Sequence, residues 1–302
     1  MEIKKYQSQI NIILDEFINK ISNKKLKDMT EWSLKGGKRL RSMIVIDVSN
    51  NVKKNNNLKI NVNEIAISCE LLHTVSLIID DLPCMDNDNY RREIETIHFK
   101  YGVNNAIYMS MFLISQVKYL LNSNVKKLEN EMNDENINTI REILVENYLE
   151  NYNIAILGQY VDICPIKKAK EDNIIFTGNI KAKYLRNIII DKTAPFFEIA
   201  FVGGYLISGG DIQNYEKLKK ISQLFGIIFQ ISDDFEDQQQ DLEKSCQSLI
   251  QNYVLVIGKE QAIKDFYYFT NIFITEMKEI NLYSELFKNI VNYLLNRVKK
   301  FI

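Results

Sequence analysis

Turn-forming residues are scarce in this chain: 11 Gly and 3 Pro among 302 residues, under half of the roughly 12% usual in soluble proteins. Gly supplies left-handed backbone and Pro ends helices. A chain so poor in both has few places to turn, and it reads as long helices. The apolar pattern agrees. Ile10, Ile13, Leu14, Phe17, Ile18 and Ile21 fall on one helical stripe, and Ile143, Leu144, Tyr148, Leu149, Tyr152, Ala155 and Ile156 on another. Residues 65–79 are almost continuously apolar, and the apolar segments 196–208 and 215–232 are separated by Gly209-Gly210. The amphipathic run 284–302, with Lys288, Arg297, Lys299 and Lys300, is expected as a docked final helix rather than a membrane-binding tail. Polar stretches at 49–61 and 122–139 are expected as connections, the second with a short exposed helix in its middle. No composition break marks a boundary, so one all-α domain over 1–302 is expected.

Bulk properties narrow the function. A net charge of −1 gives no field to recruit nucleic acid or an anionic membrane. Cys69, Cys84, Cys164 and Cys246 lie far apart without metal-ligand spacing, which fits packing thiols in a reducing compartment. The N-terminal segment MEIKKYQSQINIILDEF mixes Lys, Gln, Asn and Asp among its apolar positions, unlike a secretory signal or a transit peptide. No run of eighteen apolar residues occurs, so no transmembrane segment is expected and the expected location is cytoplasmic.

Two acidic clusters carry the chemistry. LLHTVSLIIDDLPCMD ends in Asp80, Asp81 and Asp86; FGIIFQISDDFED ends in Asp233, Asp234 and Asp237. Each is an apolar helix running straight into paired aspartates, whose charges need compensation there. On a helix Asp233 and Asp237 lie about 40° apart around the axis, so both carboxylates face one way. Asp80 and Asp86 would diverge by about 120° on a regular helix. Pro83 can break that helix and let Asp86 swing back. Oxygen donors without His or Cys suit Mg²⁺, which binds through one or two carboxylates plus phosphates. One DDxxD is usually a solvated acidic face; two, each ending an apolar helix, point to a metal site that implies a phosphorylated substrate.

These residues resemble the trans-prenyltransferase family, the farnesyl and geranylgeranyl diphosphate synthases. The ordered set is GGKRLR at 36–41, ELLHTVSLIIDDLPCMDNDNYRR at 70–92, GQYVD at 158–162, KT at 192–193 and FQISDDFED at 229–237. The resemblance implies an isoprenoid-synthase-type helical bundle around a central cavity, usually a homodimer. It implies that Lys38, Arg41, His73 and Arg92 hold the diphosphate of isopentenyl diphosphate. Asp80 and Asp86 would bind two Mg²⁺ ions and Asp233 a third, with Asp81, Asp234 and Asp237 in support. Arg91, Lys192, Thr193 and Gln230 would contact the allylic diphosphate. His73 has a reading of its own: seven residues before Asp80, it lies about 20° away on the same helix face.

The chemistry needs these residue types. Ionising an allylic diphosphate leaves pyrophosphate and a carbocation, so cations must meet the departing charge. The carbocation needs a dry apolar cavity until the alkene of isopentenyl diphosphate attacks. No side-chain nucleophile is required. Three segments depart from the family pattern. Glu93-Ile94-Glu95-Thr96 stands where the family has GKPT, QQQDLEKSCQSLIQNYV is short of a diphosphate lysine (Lys244 is a possible stand-in), and Ser110-Met111 replaces Gly-Asp. Val75, five residues before Asp80, stands where an aromatic stops chain growth early, so geranylgeranyl diphosphate is the expected product and farnesyl diphosphate the alternative. Met111 or Phe112 would be the competing floor. A non-catalytic regulatory subunit is the reading of another class; a terpene cyclase has no use for GGKRLR or His73.

Overall fold

The computed structural model describes residues 2–54, 60–131, 137–163, 178–244 and 252–301. They are helical almost throughout, as expected. In chain order the helices are α1 (Glu2–Asn19), α2 (Lys24–Ser33), α3 (Leu40–Lys53), α4 (Asn63–Asp80), α5 (Ile97–Tyr101), α6 (Val103–Glu131) and α7 (Ile137–Ile163). There follow α8 (Gly178–Leu206), α9 (Tyr215–Glu236), α10 (Gln238–Lys244), α11 (Tyr253–Ile257), α12 (Lys259–Glu279) and α13 (Glu285–Lys299). Between α4 and α5 a hairpin pairs β1 (Tyr90–Arg91) with β2 (Ile94–Glu95), antiparallel, Tyr90 opposite Glu95 and Arg91 opposite Ile94. Side-chain caps start several helices: Asn23 accepts from the Leu26 amide, Asn252 from Leu255 and Ser284 from Phe287.

Both expected polar connections are partly helix. α3 runs to Lys53 because Ser49 and Val52 are buried, and the Ser208 hydroxyl donates to that of Ser49 at 2.7 Å. α6 runs through Glu131, and α7 already begins at Ile137. The fully buried Asn124 accepts from the Ile65 amide at 3.2 Å and donates to the Asn61 carbonyl at 3.0 Å, while Val125 and Leu128 pack inward. Polar composition misled there, because an Asn serving two backbone groups is a core residue. Residues 55–59 and 132–136 lie outside the described ones.

The chain groups into two compact units. The first comprises Met1–Leu144 with Gly203–Gly210, and in it α4 packs on α6 and α3. α4 buries residues on nearly every side (Ile65, Ala66, Cys69, Leu71, Leu72, Val75 and Ile78), which explains its near-continuous apolar run. The second comprises Val145–Val202 with Asp211–Ile302. There α9 packs on α12 and α13 around an aromatic cluster of Phe197, Phe201, Phe225, Phe273 and Phe287, with the Phe197 and Phe225 rings edge-on at 4.7 Å. α13 buries Leu286, Phe287, Ile290, Val291, Leu294 and Val298, so the basic tail is a docked helix. The same unit holds a polar network. Buried Glu198 on α8 accepts from the amides of Asn147 (2.7 Å) and Asn151 (2.9 Å) on α7. Burial raises the Glu198 carboxyl, against the lowering pull of those amides and Lys219.

Candidate active site

In the first unit α4 ends at Asp80 and the chain reverses. The Leu82 amide donates to the Ile79 carbonyl at 3.2 Å, and the Asp86 amide donates to the Asp80 carbonyl at 2.9 Å. Asp86 therefore does come back to Asp80, around the exposed Pro83, as the sequence predicts. Asp81 behaves differently. It is buried, and its Oδ1 takes both Nε (2.8 Å) and Nη2 (2.6 Å) of Arg91. Burial raises the Asp81 carboxyl and the Arg91 guanidinium opposes it. Asp81 thus anchors β1 instead of standing with Asp80 and Asp86.

The hairpin turn is unusual. Arg92 (φ 55°) and Glu93 (φ 64°) both sit in the left-handed region, the signature of a two-residue type I′ turn that favours Asn-Gly. The Trp32 indole donates to the Glu95 carbonyl at 2.8 Å and ties the hairpin to α2. Glu95, one of the acids absent from the family pattern, is met by Lys100 at 3.6 Å, whose ammonium also lies 3.0 Å from the Trp32 ring centroid.

GGKRLR forms the turn from α2 into α3. Gly36 adopts φ 71°, and a Cβ there would stand 3.8 Å from the Arg92 side chain, so the glycine serves the backbone turn beside Arg92. Lys38 is exposed, and its carbonyl accepts from Gln7. Arg39 turns inward to the Leu34 carbonyl (2.5 Å), Asn11 (3.0 Å) and Glu70 (3.6 Å), a structural role. Arg41 lies in the first turn of α3. His73 on α4 is held well below its ordinary pKa, first by burial and then by the fields of Arg41, Arg92, Arg91 and Arg39. Arg41, Arg91 and Arg92 thus act together on a neutral His73 imidazole. A cleft beside it is lined by Trp32, Thr74, Leu77, Asp81, Arg91 and Arg92. His98, unused in the sequence reading, is buried with Nδ1 at 3.0 Å from the Thr96 hydroxyl.

In the second unit α9 delivers Asp233, Asp234 and Asp237. Asp237 is exposed and its amide closes on the Asp233 carbonyl at 3.1 Å, so the two share a face as helix geometry requires. Asp234 faces inward: Oδ1 accepts from Gln230 (2.8 Å) and Oδ2 from the Tyr253 amide (2.7 Å). Burial pushes its carboxyl up to about 7. Thr193 on α8 donates to Gln230 at 3.1 Å, so two residues expected at the allylic substrate are linked to the cluster. Asp233 is ion-paired by Arg297 Nη1, while Nη2 of the same guanidinium reaches Glu236 at 2.6 Å. Lys192 is brought close to GQYVD by Gly158, where a Cβ would lie 2.5 Å from the Asp191 carbonyl carbon and 2.7 Å from the Lys192 amide. Pro195, one turn later in α8, removes the amide that the Asp191 carbonyl would otherwise accept from. Lys244 ends α10, but its side chain and residues 245–251 lie outside the described ones. The chain resumes at Asn252, which donates to the Asp234 carbonyl and to Asp241, each at 2.8 Å.

Arg297 was not singled out in the sequence, although a signal existed: it falls seven and three residues after Ile290 and Leu294, on the apolar stripe of α13. Among the described residues no trio of His, Cys, Asp or Glu is already gathered as a metal cage. The carboxylates brought together are Asp80 with Asp86 and Asp233 with Asp237, while Asp81 and Asp234 are bonded inward. That set fits Mg²⁺ held by few protein ligands together with phosphate oxygens.

The architecture is that of the isoprenoid-synthase helical folds. A geranyltransferase from Legionella pneumophila superposes with TM-score 0.76 over 98% of this chain and 96% of its own, at 21% identity. A geranyltranstransferase from Thermotoga maritima does so with TM-score 0.72 over 99% and 100%, also at 21% identity. A family model described as polyprenyl synthetase matches residues 23–254, and the chain belongs to that family. The chloroplastic geranylgeranyl pyrophosphate synthase of Capsicum annuum is 31% identical over 76% of this chain. The alignment spans 57% of that relative, a little over half its length. A trans-prenyltransferase of African swine fever virus is 24% identical over 97% of this chain and 84% of its own.

Proposed function

We propose that this chain is a Mg²⁺-dependent trans-prenyltransferase, one catalytic domain over 1–302, that condenses isopentenyl diphosphate head-to-tail with dimethylallyl, geranyl or farnesyl diphosphate. The observation that carries this reading is the pairing, in one unit, of the Asp80–Asp86 closure with the guanidinium groups of Arg41, Arg91 and Arg92 around His73. A metal-diphosphate site and a second, metal-free diphosphate site are what a condensation of two diphosphates needs. Asp80, Asp86 and Asp233 would hold Mg²⁺, three ions in all. When bound, Mg²⁺ supplies positive charge to the departing pyrophosphate. Arg91, Lys192, Thr193 and Gln230 orient the allylic diphosphate; Lys38, Arg41, His73 and Arg92 orient isopentenyl diphosphate; Asp81 and Asp234 keep Arg91 and Gln230 in place. With its pKa lowered, His73 is a neutral imidazole that offers one N–H to phosphate.

The product we assign is geranylgeranyl diphosphate, with farnesyl diphosphate as the second reading. Val75 is small and buried (3% exposed), while Met111 is 62% exposed, so Met111 does not fill the interior of its own unit. Relatives are named for geranylgeranyl pyrophosphate, whereas solved neighbours are named geranyltransferases. The enzyme is read as a cytoplasmic homodimer without nucleic-acid partners; no described helix is long and apolar enough to cross a membrane. A regulatory subunit remains the reading of another class, motivated by Glu93 and the short segment 238–252. Purified protein with Mg²⁺, isopentenyl diphosphate and farnesyl diphosphate should yield C20 product, lost in Asp80→Ala and Asp233→Ala. Only C15 product from dimethylallyl diphosphate would select the second reading, and an inert chain that activates another synthase would select the third.

A further inference from the structure

Trp32 is the only tryptophan in the chain, and it stands on α2 beside the hairpin that carries Arg91 and Arg92. Its indole N–H donates to the Glu95 carbonyl at 2.8 Å. The Glu95 carboxylate lies 3.6 Å from the Lys100 ammonium, which rests 3.0 Å from the indole centroid. Lys35 brings a second ammonium to 4.8 Å from the same ring. One β2 residue is therefore held twice, by its backbone to α2 and by its side chain to α5.

The hairpin needs that support. Its strands have two residues each, and a short two-stranded hairpin is marginal by itself. Arg92 and Glu93 at its turn are non-glycine residues in left-handed backbone, which works against the turn. At the open end the Thr96 amide and hydroxyl both donate to the Asn89 carbonyl, at 3.0 and 3.3 Å. On β1, Arg91 is fixed through its own side chain by the fork on Asp81. Arg92 has no such anchor. Among the described residues it has no hydrogen-bond or ion-pair partner, and only the fields of Arg91, Glu70, Arg39 and Asp81 reach it. Its place follows from the backbone of the turn, and so from what holds β2.

We infer that Trp32 is a positioning residue for Arg92: the indole N–H keeps β2 on α2, and the turn then presents Arg92 to a diphosphate in one place. Arg91, with its separate anchor, does not depend on this strap. The inference deepens the reading of Arg92 as a ligand of isopentenyl diphosphate and rests on it.

A lone tryptophan can be replaced by an analogue without touching any other residue. Benzothienylalanine puts sulfur in place of the indole N–H and keeps the ring for Lys100; fluorotryptophan, which retains the N–H, is the control. Trp32→Phe, lacking the same donor, is a second variant. Circular dichroism and thermal unfolding report folding. Hydrogen exchange of residues 89–96 reports the hairpin, and calorimetric titration with inorganic pyrophosphate in EDTA reports the metal-free diphosphate site. The benzothienyl protein should exchange its hairpin amides about five-fold faster and bind pyrophosphate about five-fold more weakly, the scale of one lost hydrogen bond. Fluorotryptophan protein should match wild type in both. In turnover, KM for isopentenyl diphosphate should rise by a similar factor. KM for the allylic diphosphate should stay within about two-fold, because Arg91 keeps Asp81. Unchanged hairpin exchange or unchanged pyrophosphate affinity in the folded benzothienyl protein overturns the inference, as does an equal rise in both KM values. Equal pyrophosphate binding by wild type and Arg92→Gln would instead count against the role assigned to Arg92, with the exchange data still judging the strap.

Discussion

The Asp86 amide and the Asp80 carbonyl share a hydrogen bond of 2.9 Å that closes the first acidic cluster on itself. Residues six apart, which a continued helix would splay, are joined through backbone rather than through a shared ion. Backbone bonding itself therefore shapes this part of the site.

That closure depends on α4 stopping where it does. Replacing exposed Pro83 with Ala lets the helix extend, and Asp86 then drifts from Asp80. The Mg²⁺ concentration for half-maximal turnover should rise about ten-fold, the scale of losing support behind a ligand. The melting temperature should hardly move. Unchanged Mg²⁺ dependence would show that the turn survives without the proline.

Glu93 sits at φ 64° with an acid where diphosphate should approach. Left-handed backbone costs a non-glycine residue about 1 kcal/mol. Glu93→Gly should therefore stabilise the protein by about that amount in urea unfolding and lower KM for isopentenyl diphosphate. A variant no more stable than wild type would mean that Glu93 makes a compensating contact.

Gly158→Ala tests the contact between α7 and α8. Its Cβ would have to displace backbone of Asp191 and Lys192, an overpacking worth about 2 kcal/mol. Because Lys192 moves with that backbone, kcat/KM for the allylic diphosphate should fall more than KM for isopentenyl diphosphate changes. Equal effects on both substrates would place Lys192 elsewhere.

Glu198 gives a pH signature away from the metal ligands. Its folded pKa is raised by burial, so the folded state holds a proton more tightly than the unfolded chain. The stability that proton confers is full below the ordinary Glu value, about 4.3, and is lost as pH rises through the folded value. Unfolding free energy of wild type should accordingly decline over that window, and Glu198→Gln should abolish this part of the decline. An identical pH slope in the variant would refute it.

Helix content, the two clusters and the return at Pro83 were legible because each is local: breaker scarcity, an apolar run into aspartates, one proline at the right offset. The division of labour inside each DD pair was not. Asp80 and Asp81 are equivalent in the sequence; only the hairpin that brings Arg91 back reveals which carboxylate turns inward. Arg297 was hidden in the same way, read as one more positive charge on a basic tail until its helix docked. The long helices through 49–53 and 122–131 were missed because Asn and Lys suggest solvent, whereas Asn124 is a buried bridge between backbone groups. What escaped was in every case an interaction between residues distant in the chain.

Asn151 bonds to Glu198, and Gly158 abuts Asp191. Going from the first pair to the second advances α7 by seven residues and takes α8 back by the same seven, so a single antiparallel register serves both. The polar pair works as an alignment pin. Slipping α7 by one turn, about 5.4 Å, would take the Asn donors from a buried carboxylate and bring a residue with a side chain against the Asp191 peptide. Misdocked helices thus gain no partial foothold, and Lys192 arrives at its position either correctly phased or not at all.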